Sequence, residues 1–190
     1  MALRRGFKAE AERLAKDLWS EMSLTPNDGM DAVKLAEHLH CIVRPADALV
    51  DIGKLEELRR IQRDAFFACT FKLPGNRYAI VFNPLMSDTR RNSDIAHEVA
   101  HIVLGHNFSR LERLGSIAFL SGEKQQEEEA AWLSGCLLLP RFALIHDLRQ
   151  GKTPATIARN RILSKDMVEY RIRVTGVTRQ LAAERRRRVS

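Results

Sequence analysis

Two histidines and a glutamate stand at a spacing that can do chemistry. His97 and His101 are four residues apart, and Glu98 follows the first of them. Residues four apart lie on one face of a helix, so both imidazoles can bind one zinc ion, and Glu98 can act as the general base for a zinc-activated water. The apolar residues around this motif predict a buried helix. The alternative is a core helix with two hydrogen-bonded histidines and no metal.

A catalytic zinc site needs a third protein ligand and an open position for water. Residues 123–140 begin with an acidic run and continue as an apolar run that ends at a proline. This pattern predicts a helix that enters the core. Glu129 shares a face of that helix with Leu133 and Leu137, so it is the glutamate predicted to point inward and to bind zinc.

Other residues could supply the third ligand instead of that glutamate. Glu127 and Glu128 lie on the same predicted helix. His106 is the other alternative, but it comes five residues after His101, which rotates it off the ligand face of a continuous helix. It could return to that face only if the helix breaks at Gly105, where a helix C-cap is expected.

The elements that must position these residues follow from periodicity and from turn residues. Apolar residues at helical spacing predict helices at 3–22, 30–39 and 53–61. Residues 41–44 are a strand candidate, and two β-rich runs at 66–73 and 77–83 flank a Pro-Gly-Asn turn, which predicts a hairpin. A polar loop at 87–92 then leads to the motif helix, which Ser93 or Asp94 would cap.

The predicted hairpin offers a way to bind a peptide. An extended peptide can add to an exposed sheet edge, and Tyr78–Phe82 is the stretch predicted to serve as that edge. The alternative for the same stretch is a core strand.

The C-terminal part reads as two short helices with a tight link. Thr153 and Ser164 are the predicted N-caps, and the second helix carries Lys165, Arg171 and Arg173. This arrangement resembles a helix-turn-helix. We expect it to pack against the catalytic part rather than to bind DNA. The predicted division is therefore a domain at 1–150 and a helical extension with a basic tail at 151–190.

Composition indicates an ordinary globular protein. Of 190 residues, 45% are hydrophobic and 29% charged, and no apolar run approaches a membrane span. The charged start lacks the apolar segment of a signal peptide, and three scattered cysteines without a CxxC pair favour a reducing cytoplasm. The net charge is +7, of which Arg185–Arg188 supply four, leaving +3. Such a terminal run is usually a solvated tail with weak attraction to nucleic acid.

Several segments together resemble the ImmA/IrrE metallopeptidases. They are Asn83-Pro84, Arg90 to His101, Glu127 to Leu133, and Leu137 to Pro140. The resemblance implies an α+β fold that is mostly helical and zincin-like, with a small antiparallel sheet. It implies that His97, His101 and Glu129 bind zinc and that Glu98 is the general base. One position departs from the family pattern, because Ala131 stands where an asparagine is usual.

Members of that family cleave or inactivate a helix-turn-helix repressor, and this implies the function expected here. The leading hypothesis is a cytoplasmic, zinc-dependent endopeptidase of narrow specificity that acts on such a repressor and derepresses stress or mobile-element genes. The alternative is a non-proteolytic regulatory protein that binds a repressor or DNA, with a structural or vestigial zinc site. No membrane partner is expected.

Overall fold

The computed structural model describes residues 3–62, 65–106, 110–114, 117–121 and 123–189. Helices predominate in this part of the chain, and short strands form the rest of its regular structure, which is an α+β fold as predicted. In chain order the elements are α1 (Phe7–Glu21), α2 (Ala32–His38), β1 (Ile42–Pro45), α3 (Ile52–Ile61), β2 (Ala68–Leu73), β3 (Arg77–Phe82), α4 (Asp88–Val103), β4 (Arg110–Leu114), β5 (Ile117–Ser121), α5 (Lys124–Leu138), α6 (Arg141–Arg149), α7 (Pro154–Arg161), α8 (Lys165–Thr175) and α9 (Val177–Val189).

Helices α4 and α5 pack against each other at the centre, with α1 against α5 and α2 against α4. The apolar half of α5 is buried, as its sequence predicts, and so is the face of α4 that carries Ile95 and Val99. Trp19 of α1 is almost fully buried and donates its indole N–H to the carbonyl of Leu137, at 2.7 Å. Aromatic side chains bury the largest apolar areas, so this contact fixes α1 on α5.

The main sheet differs from the predicted antiparallel one. Strand β2 pairs antiparallel with β3, which confirms the predicted hairpin, but β1 pairs parallel with the other side of β3. The order is therefore β1-β3-β2. A short 3-10 helix at Ala46–Ala48 and then α3 follow β1, and a crossover of this kind is what a parallel pair needs.

The central place of β3 corrects one expectation. Residues Tyr78–Phe82 were predicted to be a free edge, but they lie in β3 between two partner strands. The alternative, a core strand, is confirmed, and Ile80 is fully buried. The two edges of this sheet are β1 and β2.

The motif helix begins earlier than its apolar residues indicate. Ser87 is its N-cap and accepts a hydrogen bond from the backbone N–H of Arg90, so the predicted cap at Ser93 or Asp94 is wrong. Residues 88–92 are polar because this end of the helix carries ion pairs and a link to α2. The Asn92 side chain accepts from the N–H of Ala32 and donates to the carbonyl of Met30.

The C-terminal helices pack on the rest of the protein. Arg171 of α8 is fully buried, donating to the carbonyl of Leu139 and to Glu12 of α1. This residue is therefore removed from the set of basic side chains that could contact DNA, which supports the packing role. The hydrophobic core includes Ile157, Val168 and Val177 along with residues of α1 to α6. The division at residue 150 stays a prediction.

In the described residues, no helix is both long enough and apolar enough to cross a membrane.

Candidate metal centre

Helix α4 brings the two motif histidines together on one face. The Nε2 atoms of His97 and His101 lie 3.1 Å apart, and His101 is the more buried of the two side chains. Residues four apart in a helix are neighbours, so this convergence follows directly from the sequence.

The third donor comes from α5 and is Glu127. Its Oε2 lies 3.1 Å from Nε2 of His97, and its Oε1 lies 3.6 Å from Nε2 of His101. One donor atom from each residue lies within 4.8 Å of the others. In the described part of the chain, no other group of three such side chains meets that distance. The two histidines hold the pKa of Glu127 well below its usual range by hydrogen bonding and by charge.

These separations can be compared with those around a zinc ion. Bonds of about 2.0–2.1 Å in tetrahedral geometry place neighbouring donor atoms about 3.3 Å apart. The observed 3.1 and 3.6 Å bracket that value. Two imidazoles and one carboxylate are also the donor set of catalytic zinc sites that keep an open position. The residues present therefore fit zinc.

Glu129, the glutamate predicted to bind metal, does point inward but toward another partner. Its side chain is only 8% exposed and lies 3.6 Å from Nε2 of His106, while Gln125 donates to it at 3.1 Å. Arg4 reaches it from the segment before α1, at 3.4 Å. The structure thus does not group Glu129 with the two motif histidines; that place belongs to Glu127.

His106 lies behind His101 rather than beside Glu127. Gly105 has a φ of +63°, a left-handed conformation that glycine adopts readily, and it ends the helix so that His106 turns back. The Nδ1 atoms of His106 and His101 are 3.1 Å apart. Burial and the neighbouring His101 lower the pKa of His106. His106 and Glu129 thus form a second layer that orients His101, and we refer to this pair as the supporting pair.

Glu98 faces the hairpin. The hydroxyl of Thr70 in β2 donates to its Oε2 at 2.6 Å, which leaves Oε1 for another partner. Cys69, next along β2, is not grouped with the three donors among the described residues, and burial and the charge of Glu98 raise its thiol pKa to about 11. Glu98, beside the motif histidines, therefore has one carboxylate oxygen held by the Thr70 hydroxyl and a second oxygen, Oε1, available for another partner.

The family model for the IrrE N-terminal-like domain, Peptidase_M78, matches residues 62–173, well over half of the chain. The chain belongs to this family. The predicted resemblance to ImmA/IrrE metallopeptidases is thereby confirmed. No curated protein and no solved structure matches the chain.

The peptidase family match contains all of the residues that form the candidate centre. His97, Glu98, His101 and Glu127 lie inside it, as do Thr70 and both members of the supporting pair. Residues 3–61, which include α1, α2, β1 and α3, lie before it.

Thr70 and Arg4 contact residues of the candidate centre and its supporting pair, but no sequence pattern points to either of them. Thr70 lies 28 positions before Glu98, and only the packing of β2 on α4 brings them together. Arg4 is likewise brought to Glu129 by the docking of α1 on α5. For His106 the sequence does give an indication, because the preceding Gly105 can end the helix and turn this histidine back toward His101.

Proposed function

We propose that this peptidase-family protein is a zinc-dependent endopeptidase of narrow specificity. The observation that carries this proposal is the convergence of His97, His101 and Glu127, with Glu98 beside them and held by Thr70. A structural zinc site usually has four protein ligands and no adjacent base. Three donors and one adjacent carboxylate favour catalysis.

In this proposal, Nε2 of each motif histidine and the Glu127 carboxylate hold the zinc ion. A bound zinc supplies a Lewis acid and lowers the pKa of water. The supporting pair acts through His101. A partner on Nδ1 fixes the ring orientation and leaves Nε2 facing the centre, which is the usual arrangement for metal-binding histidines.

Glu98 is the proposed general base. It takes a proton from the attacking water and gives it to the amine nitrogen of the departing peptide. Thr70 donates to Oε2, so Oε1 is the oxygen that carries the proton. The hydroxyl also stops the side chain from rotating, so the carboxylate stays aimed at the reacting atoms.

The substrate backbone would lie along β2. This strand is one of the two edges of the three-stranded sheet, and its Thr70 contacts Glu98, so a peptide paired with it passes next to the base. An added strand gains main-chain hydrogen bonds from the edge and is held in extended form. Phe71 is 48% exposed on this strand and offers apolar contact to such a peptide.

The proposed target is a helix-turn-helix repressor, whose cleavage would release the genes it controls. The family of this chain supports that target class. We propose that this takes place in the cytoplasm.

Zinc content tests the metal site. Purified wild-type protein is expected to hold one zinc per chain by mass spectrometry of metals, and His97→Ala and Glu127→Ala are expected to lose it. Glu128→Ala is the matched control on the same helix and should retain zinc. Loss in Glu129→Ala with retention in Glu127→Ala would instead restore the ligand predicted from the sequence. Wild-type protein that stays free of zinc after metal is added would overturn the proposal.

Cleavage tests the activity. Cells that produce wild-type protein are compared with cells that produce Glu98→Gln, and new protein N-termini are labelled and identified. We expect a short set of sites that depends on Glu98 and includes a helix-turn-helix protein. Zinc-loaded wild-type protein that produces no Glu98-dependent sites, yet binds a repressor, would replace the peptidase by the non-proteolytic alternative.

A further inference from the structure

A cavity of about 1000 Å³ opens next to the candidate metal centre. His97 and Glu127 form part of its wall, so whatever occupies it lies against the reacting atoms. The rest of the wall comes from the segment around the start of α1, from α5 and from α8. We call this cavity the basic groove and define it by Arg5, Lys8, Lys124, Trp132 and Tyr170.

Two aromatic rings form the apolar surface of the basic groove. Trp132 and Tyr170 meet edge to face, with ring centroids 6.4 Å apart and an interplanar angle of 75°. The ammonium of Lys8 lies 4.3 Å from the Trp132 ring centroid. These contacts hold the rings in one arrangement, so the groove is ready to receive a large apolar side chain without reorganising.

The charges of the basic groove are unbalanced. Arg5, Lys8 and Lys124 are exposed and form no ion pair with a carboxylate of the described residues. Arg4 is different, because Glu10 and Glu129 pair with it. Of the lining carboxylates, Glu127 is engaged by the histidines, which leaves Glu128. The groove therefore presents an excess of positive charge to whatever enters it.

We propose that the basic groove binds an acidic peptide segment with a large apolar residue, supplied by the protein that the centre cleaves. The inference rests on the proposed function, since it names the substrate segment for that same site. The apolar side chain fits against Trp132 and Tyr170, and acidic neighbours face Lys8, Arg5 and Lys124. Charge complementarity of this kind selects partners and speeds association.

Single-stranded nucleic acid also combines negative charge with flat apolar groups, but the groove is less suited to it. Base stacking needs an open ring face. Lys8 lies over Trp132, and Tyr170 meets it edge to face. A peptide segment is the occupant that these features favour.

The test uses the full chain with Glu98→Gln, so that no probe is cleaved. The probe is a fluorescein-labelled nonapeptide with a central phenylalanine flanked by glutamates, and binding is followed by anisotropy. Comparison peptides carry lysines instead of glutamates, or alanine instead of phenylalanine. We expect the acidic phenylalanine peptide to bind at least about tenfold more tightly than either, which is about 1.4 kcal/mol.

Charge reversal locates the binding. Lys8→Glu and Arg5→Glu are expected to weaken binding of the acidic peptide about tenfold or more. Lys34→Glu, at an exposed position of α2 outside the groove, is expected to weaken it less than about threefold. Equal loss with Lys34→Glu, or equal binding of acidic and basic peptides, would overturn the inference. Displacement of the peptide by a deoxythymidine oligonucleotide that binds more tightly, with the same sensitivity to Lys8→Glu, would reassign the groove to nucleic acid.

A zinc-free sample separates this inference from the proposed function. Anisotropy is repeated after chelation, and the peptide is expected to remain bound because no groove cation contacts the three metal donors. Binding by a protein that takes up no zinc would overturn the peptidase proposal and leave the groove intact. Zinc uptake and Glu98-dependent cleavage without peptide binding would do the reverse.

Discussion

His106 contacts the candidate metal centre from behind without belonging to its three donors. His106 contacts His101 through Nδ1 and Glu129 through Nε2, so an uninterrupted contact runs from the candidate centre to a buried carboxylate. Such outer partners fix the tautomer and the ring orientation of a ligand histidine. The supporting pair therefore contacts Nδ1 of His101, the ring nitrogen that faces away from the candidate centre.

His106→Ala is expected to bind zinc about 10- to 100-fold more weakly, because His101 loses the partner that holds its ring. Competition with a chromogenic zinc chelator measures the affinity. His38→Ala is the control, since His38 pairs with Glu21 at the surface and lies outside the centre. Unchanged zinc affinity in His106→Ala, with normal folding by circular dichroism, would show that the contact has no influence on the metal.

The motif residues could be predicted from the sequence, but the third donor of the candidate centre could not. His97 and His101 belong to one helix, whose geometry is known without the rest of the fold. The choice between Glu127 and Glu129 depends instead on how α5 sits against α4, and the two residues point roughly 200° apart around the helix. Glu129 is on the buried face, as predicted. The metal face is the one toward the cleft, where Glu127 is 45% exposed.

At the scale of elements, the start of α4 was hidden by its polar character. Seven polar residues, 88–94, precede the apolar part of this helix, and a polar run of this kind is typical of a loop. The structure places them in the helix because Arg90 pairs with Asp94, Arg91 with Asp88, and Asn92 with the entry to α2. The two ion pairs are local, because they join residues of one helical turn. The hydrogen bonds of Asn92 are tertiary contacts with the entry to α2, and they leave no pattern in the sequence.

Ser87→Ala is expected to destabilise the protein by about 1 kcal/mol, because the free N–H groups at the start of α4 lose their side-chain acceptor. Urea unfolding measures the change. Ser93→Ala is the matched control, and it should change stability by less than about 0.5 kcal/mol because alanine is favoured in a helix interior. A larger loss for Ser93→Ala than for Ser87→Ala would move the helix start back to the position predicted from the sequence.

Arg171 joins helix α8 to the carbonyl of Leu139 and to Glu12 of α1. Arg171→Ala should lower the free energy of unfolding by about 3 kcal/mol, since it leaves the Leu139 carbonyl and the partly buried Glu12 without their charged partner. Arg173→Ala, two residues on and exposed, should stay within about 0.5 kcal/mol. Thermal unfolding of both variants gives the comparison. Equal, small effects would mean that α8 is not anchored through Arg171.

For the whole molecule, strand order was the feature that the sequence could least determine. The hairpin of β2 and β3 is local and follows from its turn. Strand β1, the parallel partner of β3, is separated from the hairpin in sequence by α3. That long-range pairing makes β3 central and leaves β2 as an edge, while the packing of β2 on α4 places β2 beside Glu98. Because β1 pairs with β3, the strand proposed to bind a peptide is β2 and not the predicted β3.

The packing of α4 on α5 would make any metal bound at the candidate centre depend on the whole fold. The donors His97 and Glu127 are 30 residues apart and belong to the two central helices, so a shared ion would link α4 to α5. Only the folded chain brings them together. Binding energy at the centre is therefore added to the stability of the folded protein, as linkage requires.

Zinc at about 100 times its dissociation constant is expected to stabilise the chelated protein by about 2.7 kcal/mol. For a chain of this length that corresponds to a rise of roughly 5–11 °C in Tm, measured by differential scanning fluorimetry. Glu127→Ala should show no rise at the same zinc concentration, and Glu128→Ala should show the full one, because only Glu127 joins α5 to the histidines of α4. A similar rise in all three proteins would mean that zinc binds elsewhere and that the two helices meet without a shared ion.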